Sequence, residues 1–123
     1  MELEKYHAGE IRPNHISAIP DDRLRDYTFV NPDIRRCCGF RFARWLQEMF
    51  AHEYERRHSG GAIERRSFEV PTFEPSELAK IRRFVALRTY QPDDALFWDE
   101  LSAHIEDQTT IRLREYAERL ESE

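Results

Sequence analysis

Paired arginines are the residues of this chain best suited to binding an anion. Four Arg-Arg doublets occur in its middle, at Arg35-Arg36, Arg56-Arg57, Arg65-Arg66 and Arg82-Arg83. The planar guanidinium group donates two parallel hydrogen bonds, a geometry that matches phosphate and carboxylate groups. Arginine also outnumbers lysine 17 to 2, a bias that a GC-rich genome alone would produce. The doublets therefore indicate anion binding, with a purely compositional origin as the alternative.

Charge is divided unevenly along the 123 residues. Residues 35–66 contain eight arginines and four acidic residues, a net charge of +4. Residues 92–123 contain three arginines and ten acidic residues, a net charge of −7. The net charge of the whole chain, −5, conceals this division. A basic middle attracts a polyanion or an acidic protein surface, whereas an acidic end repels one.

No other residue pattern indicates catalysis or metal binding. His52 and His58 lie six residues apart, about 240° around a helix, whereas metal-binding histidines on a helix share one face. Cys37 and Cys38 are adjacent, too close for an unstrained disulfide, and are interpreted as small core residues or as redox-active thiols. The chain has no phosphate-binding glycine loop and no nucleophile elbow. We therefore expect no enzyme, no metal and no cofactor.

Length and composition predict one domain in the cytoplasm. A chain of 123 residues is of single-domain size and buries roughly 65% of its unfolded surface. No apolar run is long enough to cross a membrane, no signal peptide is evident, and two thiols are typical of a reducing compartment. We divide the domain into an irregular segment (1–30), a helical core with a wing (31–105) and a C-terminal helix (106–123).

Weak signals in the first thirty residues leave that segment hardest to interpret. Pro13 and Pro20 interrupt any regular element. A short helical turn is predicted over Asp21–Tyr27 because Pro20 precedes it. The apolar and aromatic residues of Tyr27–Val30 predict a short strand.

Two consecutive helices follow, separated by a glycine. Asn31-Pro32-Asp33 is typical of a helix start, with a capping residue, a proline at the first position and an acid in the first turn. The first helix is predicted over 32–38, and Gly39-Phe40 interrupts it. The second helix is predicted from 41 to about 57, and its apolar residues recur at helical spacing: Phe42, Trp45, Leu46, Met49, Phe50 and Tyr54.

The second half of the chain is predicted as a basic ribbon followed by helices. Residues 62–70 combine strand-forming residues with two arginines and predict a hairpin or ribbon. A helix begins near Pro75 and ends before Pro92. Asp93-Asp94 opens the last helical region, and its apolar residues lie on one side, as expected of a helix seam in the core or between subunits: Trp98, Leu101, Ile105, Leu113, Tyr116 and Leu120.

This order of elements predicts a mainly α fold with a small β-hairpin, similar to a winged helix-turn-helix. A helix-turn-helix needs apolar residues on both helices and a small residue at the turn, so that the second helix is presented to the major groove. The alternative is an α+β fold in which long helices pack on a small antiparallel sheet.

A family resemblance accompanies this arrangement. The segment Phe73-Glu-Pro-Ser-Glu-Leu-Ala-Lys-Ile-Arg-Arg-Phe-Val-Ala-Leu-Arg88 resembles the segment after the wing of MerR-type regulators, and the similarity continues to Phe97 and Leu101. It spans residues 32–101 approximately. The resemblance implies a bacterial transcription factor that binds operator DNA as a homodimer, with residues 105–120 as its dimerising helix.

The resemblance also implies roles for individual arginines. Arg41 and Arg44 would begin the side of the second helix that faces the groove, where arginine binds guanine or phosphate. The remaining arginines of the interface would contact or attract phosphate from the helix end and the wing: Arg56, Arg57, Arg65 and Arg66. The alternative for Arg44 is an exposed ion pair with Glu48, four residues further along the helix.

Two classes of function are therefore expected. The first is a DNA-binding transcriptional regulator that acts as a homodimer. The second is a small non-catalytic interaction protein, an adaptor or inhibitor, that uses an arginine-rich surface to bind an acidic protein or an acidic C-terminal helix to mimic a polyanion. The first class requires the backbone to change direction near Gly39.

Overall fold

Helices dominate the structure. The computed structural model of the chain describes residues 9–29, 32–64, 67–88 and 94–122. Two short strands, β1 (Glu10–Ile11) and β2 (Phe68–Glu69), pair antiparallel. The predicted fold class, mainly α with a small antiparallel strand pair, is confirmed. The described residues form six helices: α1 (Pro13–Ser17), α2 (Asp21–Phe29), α3 (Pro32–Cys38), α4 (Phe40–His58), α5 (Pro75–Arg88) and α6 (Ala95–Ser122).

The predicted break between two helices lies at Gly39. Its backbone has φ 90° and ψ 165°, a combination that residues with a Cβ atom rarely adopt. Cys38 therefore ends α3, and Phe40 begins α4. The predicted helix–glycine–helix order is confirmed.

The second of these helices, α4, runs through the centre of the core. Its apolar residues at positions 42, 46, 49 and 50 are fully buried, as the helical spacing predicts. Two arginines in its last turn interact favourably with the negative helix end. The largest buried rings lie around it and meet at tilted or edge-to-face angles: Phe42, Phe50, Phe73, Phe97 and Trp98.

The small sheet joins distant parts of the chain. Glu10 pairs with Glu69, Ile11 pairs with Phe68, and the amide of Val70 donates to the carbonyl of Gly9 at 2.8 Å. The predicted strand near Phe68 is thus present, but its partner comes from the N-terminal segment instead of an adjacent strand within 62–70. The reason is burial, because this pairing places the side chain of Ile11 in the core.

The N-terminal segment is more ordered than the sequence predicted. Residues 9–29 contain β1, α1 and α2 in place of the irregular structure expected for 1–30. The predicted helical turn over Asp21–Tyr27 is confirmed as part of α2, whereas the strand predicted at Tyr27–Val30 is wrong for its described residues, which continue α2. Helical continuation stacks the Tyr27 ring on Phe50, with centroids 5.1 Å apart.

The last helix, α6, has two different halves. Its first half packs along α5 in the opposite direction, since Arg82 contacts Glu106 and Arg112 contacts the carbonyl of Phe73. The helix continues without a break across the predicted boundary between the helical core (31–105) and the C-terminal helix (106–123). Every residue of 113–122 is exposed, so about 15 Å of helix carries no buried side chain. None of the described helices combines the length and the apolar character needed to cross a membrane.

Candidate functional site

Arg41 and Arg44 both bind carboxylates of the same chain. Arg41 donates to Glu77 Oε1 at 2.8 Å and to the carbonyl of Thr72 at 3.0 Å, which fixes the chain entering α5. Arg44 donates to Glu48 at 3.1 Å, and the ion pair predicted between these exposed residues is confirmed. Both guanidinium groups are therefore partly neutralised within the molecule.

The exposed side of α4 carries balanced charge. Arg41, Arg44, Glu48 and Glu55 are all exposed and follow one another at spacings of three, four and seven residues, which places them on one face. Two positive and two negative charges sum to zero on this face. Such a surface exerts little long-range attraction on a phosphate backbone.

Arg56 and Arg57 form a clasp on a buried carboxylate. Glu53 is 3% exposed and accepts hydrogen bonds from both guanidinium groups at 2.8–2.9 Å. Arg57 also donates to the carbonyls of Ile16 and Ser17, which attaches α1 to α4. Burial opposes the charge of Glu53, but the hydrogen bonds from the two arginines outweigh it and hold the pKa of its carboxyl below the usual range.

This clasp makes Arg56 and Arg57 structural residues. Their side chains are only 18% and 17% exposed, and their donors point inward. Arg65 and Arg66, the remaining predicted nucleic-acid contacts, lie outside the described residues.

The predicted interface seam on α6 is divided by the fold. Trp98, Leu101 and Ile105 are at most 1% exposed and belong to the core of their own chain. Their prediction as partner contacts is wrong, because α2, α4 and α5 already cover this half of the helix; the alternative interpretation as core is correct. The other three predicted residues are 55–64% exposed: Leu113, Tyr116 and Leu120.

These three residues form an apolar stripe on the protruding end of α6. Leu113, Tyr116 and Leu120 recur at spacings of three and four residues, so they share one side of the helix. Three large exposed apolar side chains in one row are unusual on the surface of a monomer and are typical of an interaction surface. We call this row the α6 stripe.

A groove between α5 and α6 borders the α6 stripe. It encloses a cavity of about 230 Å³. Its apolar wall consists of Pro75, Leu78, Ala79, Leu113 and Tyr116, and its charged lining consists of Arg82, Arg112 and Arg119. None of the acidic side chains in the described part of the chain lines it. The groove therefore combines an apolar floor with positive charge.

The three arginines of the groove differ in how far they are neutralised. Arg82 binds Glu106 through two hydrogen bonds of 2.7 and 3.1 Å. Arg112 donates to the carbonyl of Phe73 and lies 3.4 Å from Glu115. The Arg119 guanidinium lies 6.0 Å from the ring centre of Tyr116, and no carboxylate of the described residues forms an ion pair with it.

A buried carboxylate that the sequence indicated only as a helix cap connects α2 to α6. Asp94 is 1% exposed, and its Oδ2 atom accepts hydrogen bonds from the Tyr27 hydroxyl and the Trp98 indole at 3.1 and 3.0 Å. Burial and the adjacent Asp94 carboxylate raise the pKa of Tyr27. The spacing Asp94–Trp98, one helical turn, was the available signal for this contact.

The cysteines occupy different environments. Cys38 is fully buried, and burial raises the pKa of its thiol to about 12, so the thiolate does not form near neutral pH. Cys37 is exposed, so only one of the pair faces the core. Among the residues that the structure describes, no three His, Cys, Asp or Glu side chains come together as metal ligands.

Comparison of this chain with protein-family models, with curated proteins and with solved structures finds no match. The resemblance to MerR-type regulators therefore stays a prediction, and the functional argument depends on the surfaces described above.

Proposed function

We propose that this protein is a small non-catalytic interaction module that binds a protein partner through the protruding end of α6. The observation that carries this proposal is the α6 stripe. Leu113, Tyr116 and Leu120 are more than half exposed, whereas Phe97, Trp98, Leu101 and Ile105 of the same helix are buried. Covering such a row removes apolar surface from water, at roughly 25 cal/mol per Å².

The shape of α6 supports the proposal. A helix that protrudes from a folded body and keeps an apolar row is the usual ligand or receptor in helix-in-groove recognition, where residues at i, i+3 and i+7 serve as anchors. Leu113, Tyr116 and Leu120 have this spacing. Tyrosine is also enriched among the residues that dominate binding energy at protein interfaces.

A selection experiment tests the module. Helical peptides displayed on phage are selected against the wild-type protein, and the selected peptides are then assayed on the double variant Leu113→Gln, Leu120→Gln. Both positions are exposed, so the variant retains its fold. We expect peptides that bind the wild type and lose at least about tenfold in affinity on the variant. Equal affinity for both proteins, or no selected peptide, would contradict the proposal.

Duplex DNA binding by a homodimer is the second candidate. It is favoured by the break at Gly39, which separates α3 from α4 as a helix-turn-helix requires. A fluorescence-anisotropy titration with a labelled duplex at low salt tests it, and DNA binding predicts an affinity that falls steeply as salt rises. Arg44→Ala is the appropriate variant, because Arg41 also fixes the start of α5. Absence of binding by folded protein removes this candidate.

A further inference from the structure

We infer that the partner of the α6 stripe is an acidic amphipathic helix, seated in the groove between α5 and α6 with its carboxylates on Arg112 and Arg119. This inference rests on the proposed function and names the chemistry of the partner. It uses the acidic protein surface expected from the sequence, but places the contact on α6 instead of the arginine doublets.

Apolar and basic residues lie side by side on α6. Arg112 and Arg119 are seven residues apart, about two helical turns, each directly precedes a residue of the α6 stripe in the sequence, and both line the groove. Glu118 lies about 140° around the helix from the nearest residue of the stripe, whereas Glu115 lies about 100° from the stripe and pairs with Arg112. A ligand in the groove therefore meets apolar side chains and positive charge together.

Arg119 carries the electrostatic part of the inference. It lines the groove, it lies near the face of Tyr116, and no carboxylate in the described part of the chain pairs with it. Arg41, Arg44, Arg56 and Arg57, by contrast, are bound to carboxylates or carbonyls of their own chain. A carboxylate from a partner would give Arg119 the counter-ion that the described residues do not supply.

The groove also fits a helix better than an extended peptide. An extended peptide gains its affinity by adding a strand to a sheet edge, and α5 and α6 offer only helix surface here. A third helix can interdigitate its side chains with the rows on α5 and α6. Its apolar residues would then meet Ala79, Leu113 and Tyr116, and one of its flanks would face Arg119.

Two matched peptides test the inference. Both are hydrocarbon-stapled helices with leucines at spacings of three and four, and one carries glutamates along a flank where the other carries lysines. Fluorescence anisotropy with the full-length protein measures their affinities. We expect the glutamate peptide to bind about tenfold more tightly at low salt, with the preference decreasing as salt rises.

Three variants separate charge from apolar contact. Arg119→Glu is expected to remove the preference for the glutamate peptide. Arg114→Glu makes the same charge change on the same helix, but on another face, and should leave the preference within about twofold. Leu113→Gln should weaken both peptides by similar factors, because an apolar contact has no charge preference.

Other outcomes overturn the inference in distinguishable ways. Equal binding of both peptides would be consistent with the α6 stripe as a docking surface, but would contradict the inference that its partner is acidic. A dimer in light scattering that Leu113→Gln dissociates would identify a second copy as the occupant, which also overturns the inference but supports the proposed module. A monomer that binds neither of these peptides nor any displayed peptide would remove both proposals.

Discussion

At the scale of single residues, the role of an arginine depends on whether an acidic residue of the same chain binds it. Arg57 and Arg119 are the same residue type on the surface side of a helix, yet one satisfies a buried carboxylate and the other has no acidic partner among the described residues. Glu53 causes this difference, because a buried carboxylate is costly unless cations pair with it, and both arginines of one doublet pair with Glu53. Arginine doublets are thus poor evidence for phosphate binding until their partners are known.

The variant Glu53→Gln tests the clasp. It removes the charge that Arg56 and Arg57 share, which leaves the Arg56 guanidinium without a carboxylate and the Arg57 guanidinium with only Asp21, 3.6 Å away. We expect the free energy of unfolding to fall by about 2–4 kcal/mol in urea denaturation. Glu48→Gln, which breaks an exposed ion pair with Arg44, is the matched control and should cost about 0.5 kcal/mol or less. Similar losses of unfolding free energy in the two variants would contradict a stabilising role for the hydrogen bonds between Glu53 and the two arginines.

The pH dependence of stability gives a second test of Glu53. The pKa of this carboxyl is lower in the folded protein than in the unfolded chain, where glutamate titrates near about 4.3. Its contribution is therefore complete above the unfolded pKa and is lost as pH falls through the folded pKa. Urea denaturation of wild type and Glu53→Gln from neutral to acidic pH should show the wild-type advantage shrinking only below about pH 4.3. If the difference in unfolding free energy between the two proteins stayed constant with pH, the charge of Glu53 would not contribute to stability.

At the scale of elements, α6 shows that one periodic pattern can serve two purposes. Its apolar residues recur at spacings of three and four from Trp98 to Ile105 and again from Leu113 to Leu120, but the body of the protein covers only the first group. The sequence predicted a single apolar seam along α6. The structure divides this seam into a buried part and an exposed part, because α5 begins at Pro75, opposite the region of Arg112 and Leu113.

Two leucine-to-alanine variants on α6 test this division. Leu101 is fully buried, so Leu101→Ala should reduce the free energy of unfolding by about 2–4 kcal/mol. Leu120 is more than half exposed, so Leu120→Ala should change it by about 0.5 kcal/mol or less. Chemical denaturation measures both, and the identical substitution on one helix removes differences in helix propensity. Comparable losses would mean that the end of α6 is packed.

At the scale of the whole molecule, folding and docking use separate parts of the chain. The core joins β1, α2, α4, α5 and the first half of α6 through buried rings. The second half of α6 contributes no buried residue beyond Gln108. Stability and partner binding are therefore expected to respond to different changes.

Truncation after Leu113 tests this separation. It deletes residues 114–123, and all of those that the structure describes are exposed. We expect the free energy of unfolding to change by less than about 1 kcal/mol, because no core contact is lost. Binding of displayed peptides should disappear, because two of the three residues of the α6 stripe are gone. A truncated protein that no longer folds, as judged by circular dichroism, would show that the protruding end supports the core.

The sequence by itself determined the helices from α3 to α6, the break at Gly39 and the apolar residues of α4, because these depend on local spacing and on one residue without a Cβ atom. Only the tertiary structure decided the partner of β2, the order within residues 9–29, the roles of Arg56 and Arg57, and the division of the seam at α6. These features depend on contacts between residues far apart in the chain. Local periodicity says that a side is apolar, but not whether another element of the same chain covers it.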